Sequence, residues 1–146
     1  MTSPNATARK FGYPGTLVRA LDHWLVLLRP AQPTLGSLVL VCTDEARRFS
    51  AITPAAFAEL ATATRQIETS LGAFRPFDRI NYLMLMMVDP DVHFHVVPRY
   101  ASAQEFDGIA YPDAGWPGPP ALGVAVTPDE GRRDRLLAAL ATAWKT

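Results

Sequence analysis

Two of the chain's three histidines stand two residues apart in Asp91-Val92-His93-Phe94-His95. In an extended strand alternate side chains share a face, so Asp91, His93 and His95 line one side while Val92, Phe94 and Val96 occupy the other. Successive same-face positions lie roughly 6.6–7 Å apart along the strand. With the apolar side keyed into a core, an Asp–His–His row is left to line a cleft. Imidazole is the side chain whose unperturbed pKa permits both proton roles near neutrality. Two imidazoles beside a carboxylate therefore supply a nucleophile or base, a second proton donor and an orienting group. The same His-x-His spacing also suits a metal site, which needs further ligands from Asp91, His23 or a distant carboxylate.

The surrounding sequence supplies the elements that must position this row. His23–Arg29 is a short apolar run stopped by Pro30 and Pro33, as expected of a buried strand. Ser37–Thr43, behind Gly36, is a second such run, and the Pro/Gly-rich connection makes the two antiparallel neighbours. Thr53 is placed to cap a helix that Pro54 opens, with Phe57, Leu60, Ala61, Thr64, Ile67 and Leu71 as its apolar stripe and Gly72 as its stop. Arg79–Val88 is too apolar for a one-sided surface strand and is expected at the centre of the sheet. Asp89-Pro90 then turns tightly into the strand Val92–Tyr100, whose pairing should end near Pro98.

Residues 1–20 are polar and aperiodic and read as a loose N-terminal arm, ahead of a single α+β domain over 21–146. Within that domain 101–126 read as an ordered, proline- and aromatic-rich wrapping loop, and 127–145 as a C-terminal helix. Thr127 and Glu130 form its capping-box pattern, and Leu136, Leu137, Leu140 and Trp144 line one side.

Composition narrows the function classes. At 146 residues the chain is long enough for one self-sufficient core. Its 14 basic and 14 acidic residues cancel, which argues against a nucleic-acid binder relying on bulk electrostatics. A lone Cys42 excludes an intrachain disulfide framework, and its place in a β run marks it as an inert core thiol. No apolar run approaches the roughly 20 residues of a membrane span, and the N-terminal stretch lacks the apolar core of a secretion signal. The expectation is a soluble, cytoplasmic protein with neither a membrane nor a nucleic acid as partner.

The stretch His93-Phe94-His95-Val96-Val97-Pro98-Arg99 resembles the signature of the histidine triad (HIT) family, His-x-His-x-His with apolar spacers and often Pro-Arg after it. The order of strand, Pro-rich turn, Gly-led strand, helix, strand and motif strand over residues 23–100 is similar too. The resemblance implies an α+β, HIT-like antiparallel sheet with one main helix and a C-terminal helix, paired across a homodimer. It also implies a nucleotide substrate, a dinucleoside polyphosphate or nucleoside phosphoramidate, hydrolysed or transferred at its α-phosphate. His93 matches the nucleophile that forms a nucleotidyl-imidazole, and His95 the residue that stabilises charge and assists the leaving group. Neither metal nor cofactor is implied, because imidazole is both nucleophile and leaving group.

Asp91 stands where the family has its first triad histidine, and Ser37 where many members carry a histidine after a glycine. Those two replacements read as one altered pair, with the Asp91 carboxylate orienting His93. The family's Gly-rich phosphate loop before the motif is absent, which leaves Arg99 and Arg29 as candidate phosphate contacts. Trp116-Pro117 resembles a Trp-Pro segment that, in some branches, reaches a partner subunit's substrate site, which makes Trp116 a candidate substrate contact. The alternative is a nucleotide-binding homodimer with little or no turnover.

Overall fold

The computed structural model describes residues 4–146. In chain order they form α1 (Ala6–Lys10), β1 (Leu17–Ala20), β2 (Trp24–Leu28), β3 (Leu38–Cys42), α2 (Pro54–Phe74), β4 (Arg79–Leu83), β5 (His93–Arg99), β6 (Gln104–Phe106), β7 (Ile109–Tyr111) and α3 (Glu130–Ala143). Five strands build one antiparallel sheet in the order β1-β2-β3-β5-β4, so the architecture is α+β.

The sheet is covered on both faces, and the strand alternation decides which residue goes where. Trp24, Val26, Leu28, Leu38, Leu40, Val92 and Val96 point into the main core beneath α2 and α3. Leu25, Leu27, Val39 and Val41 point the other way, into a smaller cluster closed by Ala8, Phe11, Tyr13 and Leu17. Both β2 and β3 are therefore buried throughout, as their unbroken apolar runs required. Trp24 anchors the main layer: it is fully buried and its indole donates to the Ala56 carbonyl of α2 at 2.9 Å. Gly36 admits β3 to the sheet at φ 89°, where an added Cβ would also meet Leu71 at 3.4 Å.

Thr53 caps α2 through the Ala56 amide and Pro54 occupies its first turn, as expected. The buried stripe, however, is Ala56, Ala63, Gln66, Ile67, Ser70 and Leu71. Phe57 is on the rim at 40% exposure, in ring contact with Phe49 at a centroid distance of 5.2 Å. The helix also runs two residues past Gly72.

The expected loose arm is instead built into the structure. Residues 1–3 of it lie outside the described residues, but β1 pairs with β2 and α1 is capped by the Asn5 side chain. Elements of four and five residues are too short to show a periodicity.

Arg79–Val88 is likewise not a central strand. It pairs only over Arg79–Leu83, at the sheet edge, and β5 takes the interior position. Ile80, Tyr82, Met84 and Met86 pack on the main core, while Met87 and Val88 are 87% and 80% exposed. The 101–126 segment contains a hairpin, β6–β7, turned on Asp107 and Gly108 with φ of 53° and 78°. Asp129, rather than Thr127, caps α3 by accepting from the Arg132 amide.

Candidate active site

Strand β5 lies between β3 and β4, with His93 opposite Val41 and His95 opposite both Val39 and Leu83. Val92, Phe94 and Val96 turn to the main core, so the two imidazoles share the opposite face, as the alternation required. Their ring centroids are 5.3 Å apart and nearly perpendicular.

Hydrogen bonds give the two rings opposite tautomers. His93 Nδ1 lies 2.7 Å from the Asp91 carbonyl. A carbonyl only accepts, so Nδ1 carries the proton and Nε2 is left with a free lone pair. The Arg29 Nε–H donates to His95 Nδ1 at 3.4 Å, and a guanidinium only donates. The proton of neutral His95 therefore sits on Nε2. One ring presents a nucleophile and the other a hydrogen-bond donor.

These contacts correct two expectations. Asp91 orients His93 with its backbone carbonyl, while its carboxylate accepts from the Thr7 hydroxyl at 2.8 Å and the Thr7 amide at 3.3 Å. Arg29 does not face the histidines as an open clamp: its Nε donates to His95 Nδ1 and Nη1 to the Ala31 carbonyl, so it positions the imidazole from behind with two of its five N–H groups. Burial lowers the Arg29 pKa from its ordinary value.

Burial, the Arg29 guanidinium and His93 together push the His95 pKa down to about 4 from an ordinary 6.5. Between those values the unfolded chain binds more protons at this residue than the folded one, so stability rises with pH there. The melting temperature should fall as pH is lowered from about 6.5 towards 4, and His95→Gln should flatten that slope. A thermal-melt series on both proteins checks it.

Sequence reasoning missed what covers the histidines. Helix α1 lies over this end of the sheet, and Phe11 packs on His93 and His95 with centroid distances of 6.1 and 5.7 Å. Lys10 binds Asp89 at 2.7 Å from the same side. His93 and His95 are only 2% and 7% exposed as a result. The connection expected to be a bare Asp89-Pro90 turn is a longer loop from Met84, with Met86 in the left-handed region at φ 50°. Leu85, Met86, Met87, Val88 and Asp89 of this loop close a cavity of about 140 Å³ onto the two imidazoles.

Other expected site residues lie elsewhere. Ser37 is buried in the turn before β3, donating to the Thr34 carbonyl. Its neighbour Leu38 pairs with Val96, five residues of strand or about 17 Å from Asp91. The altered Asp91–Ser37 pair does not exist. Arg99 is held by Asp113 through two bonds of 2.7 and 2.9 Å and donates to Asn81 at 2.8 Å. Trp116 joins Arg99 at a separate cavity. His23 bonds Asp44 at 3.1 Å, and burial pushes the Cys42 thiol up to about 11, which keeps it inert. Among the described residues no group of three or more His, Cys, Asp and Glu side chains is placed to hold a metal ion. No helix among them is long and apolar enough to cross a membrane.

No protein-family model and no curated protein matches the sequence. Solved structures do match the fold. A histidine triad protein from Sinorhizobium meliloti superposes with a TM-score of 0.73 at 20% identity, over 96% of this chain and 95% of that one. One from Marinobacter aquaeolei gives 0.73 at 17% identity over 98% and 96%. Another, from Bradyrhizobium japonicum, gives 0.72 at 18% identity over 95% of each. The chain has the fold of the histidine triad proteins over nearly its whole length.

Proposed function

We propose that the chain is a nucleotide hydrolase or nucleotidyl transferase that works at an α-phosphate through a covalent nucleotidyl-His93. The observation that carries this reading is the tautomer of His93, whose Nδ1–H is committed to the Asp91 carbonyl at 2.7 Å. Nε2 attacks phosphorus, a P–N bond forms, and the bond to the leaving group breaks with its electron pair departing on that group. The imidazole now carries a positive charge, which the Asp91 carbonyl dipole stabilises through Nδ1–H. Water then attacks phosphorus, the P–N bond breaks, the electron pair returns to Nε2 and a proton passes to solvent.

His95 donates a neutral hydrogen bond from Nε2 to a phosphoryl or leaving-group oxygen. With a pKa of about 4 it does not carry a spare proton at neutral pH. That favours leaving groups stable as anions, such as a nucleotide phosphate, over amines that must leave protonated. No metal or cofactor takes part in this scheme. The cavity of about 140 Å³ is below the range of whole-ligand pockets, so it receives the reacting phosphoryl end while the nucleotide body lies outside it. The working form in this reading is a homodimer in the cytoplasm, with the open edge of β4 as the surface available for pairing.

A second reading, nucleotide binding with little turnover, is favoured by one observation: among the described residues no Lys or Arg lines the cavity at the histidines. Phosphorus NMR of the purified protein with diadenosine polyphosphates, ADP and AMP-phosphoramidate, with and without EDTA, separates the two. AMP release undisturbed by EDTA is expected, fastest with the polyphosphates. Thermal stabilisation by nucleotide with no product would select the second reading.

A further inference from the structure

We propose that Arg29 is a positioning residue that sets leaving-group selectivity, by holding His95 as a hydrogen-bond donor that cannot act as an acid. This role rests on the nucleotidyl-His93 reading. It restricts that site to substrates whose leaving group departs as an anion.

Arg29 reaches His95 across an intervening strand. It directly follows β2, where Leu27 pairs with Val39 of β3, and Val39 pairs in turn with His95 of β5, so the side chain crosses β3 diagonally. Both ends of that reach are fixed. The Arg29 amide donates to the Ser37 carbonyl at 3.0 Å, and its carbonyl accepts from the Gln32 side-chain amide. At the far end Nη1 donates to the Ala31 carbonyl and Nε to His95 Nδ1. Arg29 is half-buried and His95 buried, so little water competes for the contact.

Valence then limits what His95 can do. A neutral imidazole has one N–H and one ring lone pair. With Nδ1 accepting from Arg29, the only proton is on Nε2, and giving it up would leave an imidazolate. A ring that acts as an acid through Nε2 must carry a second proton on Nδ1, where the Arg29 N–H already points. The charges facing the ring agree. Arg29 from the end of β2, His93 on the same strand and Lys10 from α1 disfavour an imidazolium, while Asp89 in the loop over the site favours it.

Leaving groups divide on this point. When a phosphoramidate reacts, the P–N bond breaks with its electron pair on nitrogen, which must take a proton to leave as an amine. Neutral His95 has none to give. When a polyphosphate reacts, the pair goes to an oxygen that is stable as an anion, and the Nε2–H hydrogen bond suffices.

Arg29→Gln and Arg29→Lys test this. The Gln amide stands at the level of the Arg29 Nε, and its oxygen can accept from a protonated Nδ1, whereas an ammonium only donates. Nitrogen-15 NMR of His95 should show Nε2–H alone in wild type and Arg29→Lys, and an Nδ1–H form in Arg29→Gln. Turnover of AMP-phosphoramidate relative to diadenosine polyphosphate should rise at least about tenfold in Arg29→Gln, a small part of what a general acid supplies. That gain should disappear as pH rises and His95 of the variant loses its second proton. Arg29→Lys should keep the wild-type ratio. An unchanged ratio in Arg29→Gln, or an equal shift in both variants, would overturn the proposal and leave nucleotidyl-His93 standing. So would an Nδ1–H tautomer in wild type, or a wild type that prefers the phosphoramidate, neither of which depends on a variant folding. A folded wild type that turns over neither substrate would overturn the His93 reading and this role with it.

Discussion

His93→Ala should abolish AMP release, lowering it by on the order of 10⁴–10⁶-fold, the scale seen when a covalent nucleophile is removed. His95 assists a bond change that only this ring can begin, and the remaining groups act through it. Asp91 fixes its tautomer with a carbonyl, and Phe11 and His95 fix its plane through ring contacts. With the ring gone, none of these groups can form the P–N bond. The substitution also leaves a small void and an unpaired Asp91 carbonyl, costing about 1–3 kcal/mol, so circular dichroism must accompany the assay. His93→Gly with added imidazole supplies the readout that a purely structural role would not move. Free imidazole should restore part of the turnover to that variant, since it replaces the attacking atom.

Asp113→Ala should destabilise the fold by about 3–5 kcal/mol, the cost of breaking a buried ion pair from one side. Asp113 is 1% exposed and accepts from Arg99 Nε, Arg99 Nη2 and the Tyr100 amide. Its loss strands a guanidinium that is 5% exposed and opposite Arg79. Against a typical total stability of about 5–15 kcal/mol, the melting temperature should drop by roughly 10 °C. Replacing both partners at once, Arg99→Met with Asp113→Leu, should recover most of the loss, because the penalty belongs to the uncompensated charge. Thermal melts of the single and double variants measure both effects.

The parts of this structure readable from sequence are those whose signal is local. Leu25–Leu28 and Leu38–Val41 announce buried strands by composition and by their Pro and Gly borders. His93 and His95 share a face because strand alternation leaves no other choice, and Thr53-Pro54 opens α2 by satisfying its free amides. Arg79–Val88 misleads because an apolar run reports burial without reporting what does the burying. Here half of it packs on the main core and the rest forms a loop over the histidines. The β6–β7 hairpin did carry a signal, the Asp107-Gly108 dipeptide, whose two positive φ values are those a two-residue turn demands. Its three-residue strands are too short to alternate visibly.

The chemistry of the site was half legible for the same reason. Residue types and spacing identify His93 and His95, but their tautomers are set by partners far along the chain or by backbone atoms. Arg29 reaches His95 across 66 residues, and Thr7 claims the Asp91 carboxylate across 84. No local pattern encodes such pairs. A carboxylate two residues from a histidine on a strand looks like its orienting partner, yet the shorter path to Nδ1 belongs to the Asp91 carbonyl.

The covalent intermediate is the most direct test. Wild-type protein quenched in alkali during turnover of a diadenosine polyphosphate should show, by intact and peptide mass spectrometry, one added AMP on the peptide containing His93. That adduct should be lost on acid treatment, as a phosphorus–nitrogen bond requires, and absent from His93→Ala. Turnover with no adduct under conditions that preserve such bonds, or an adduct placed on another residue, would contradict nucleophilic catalysis by His93.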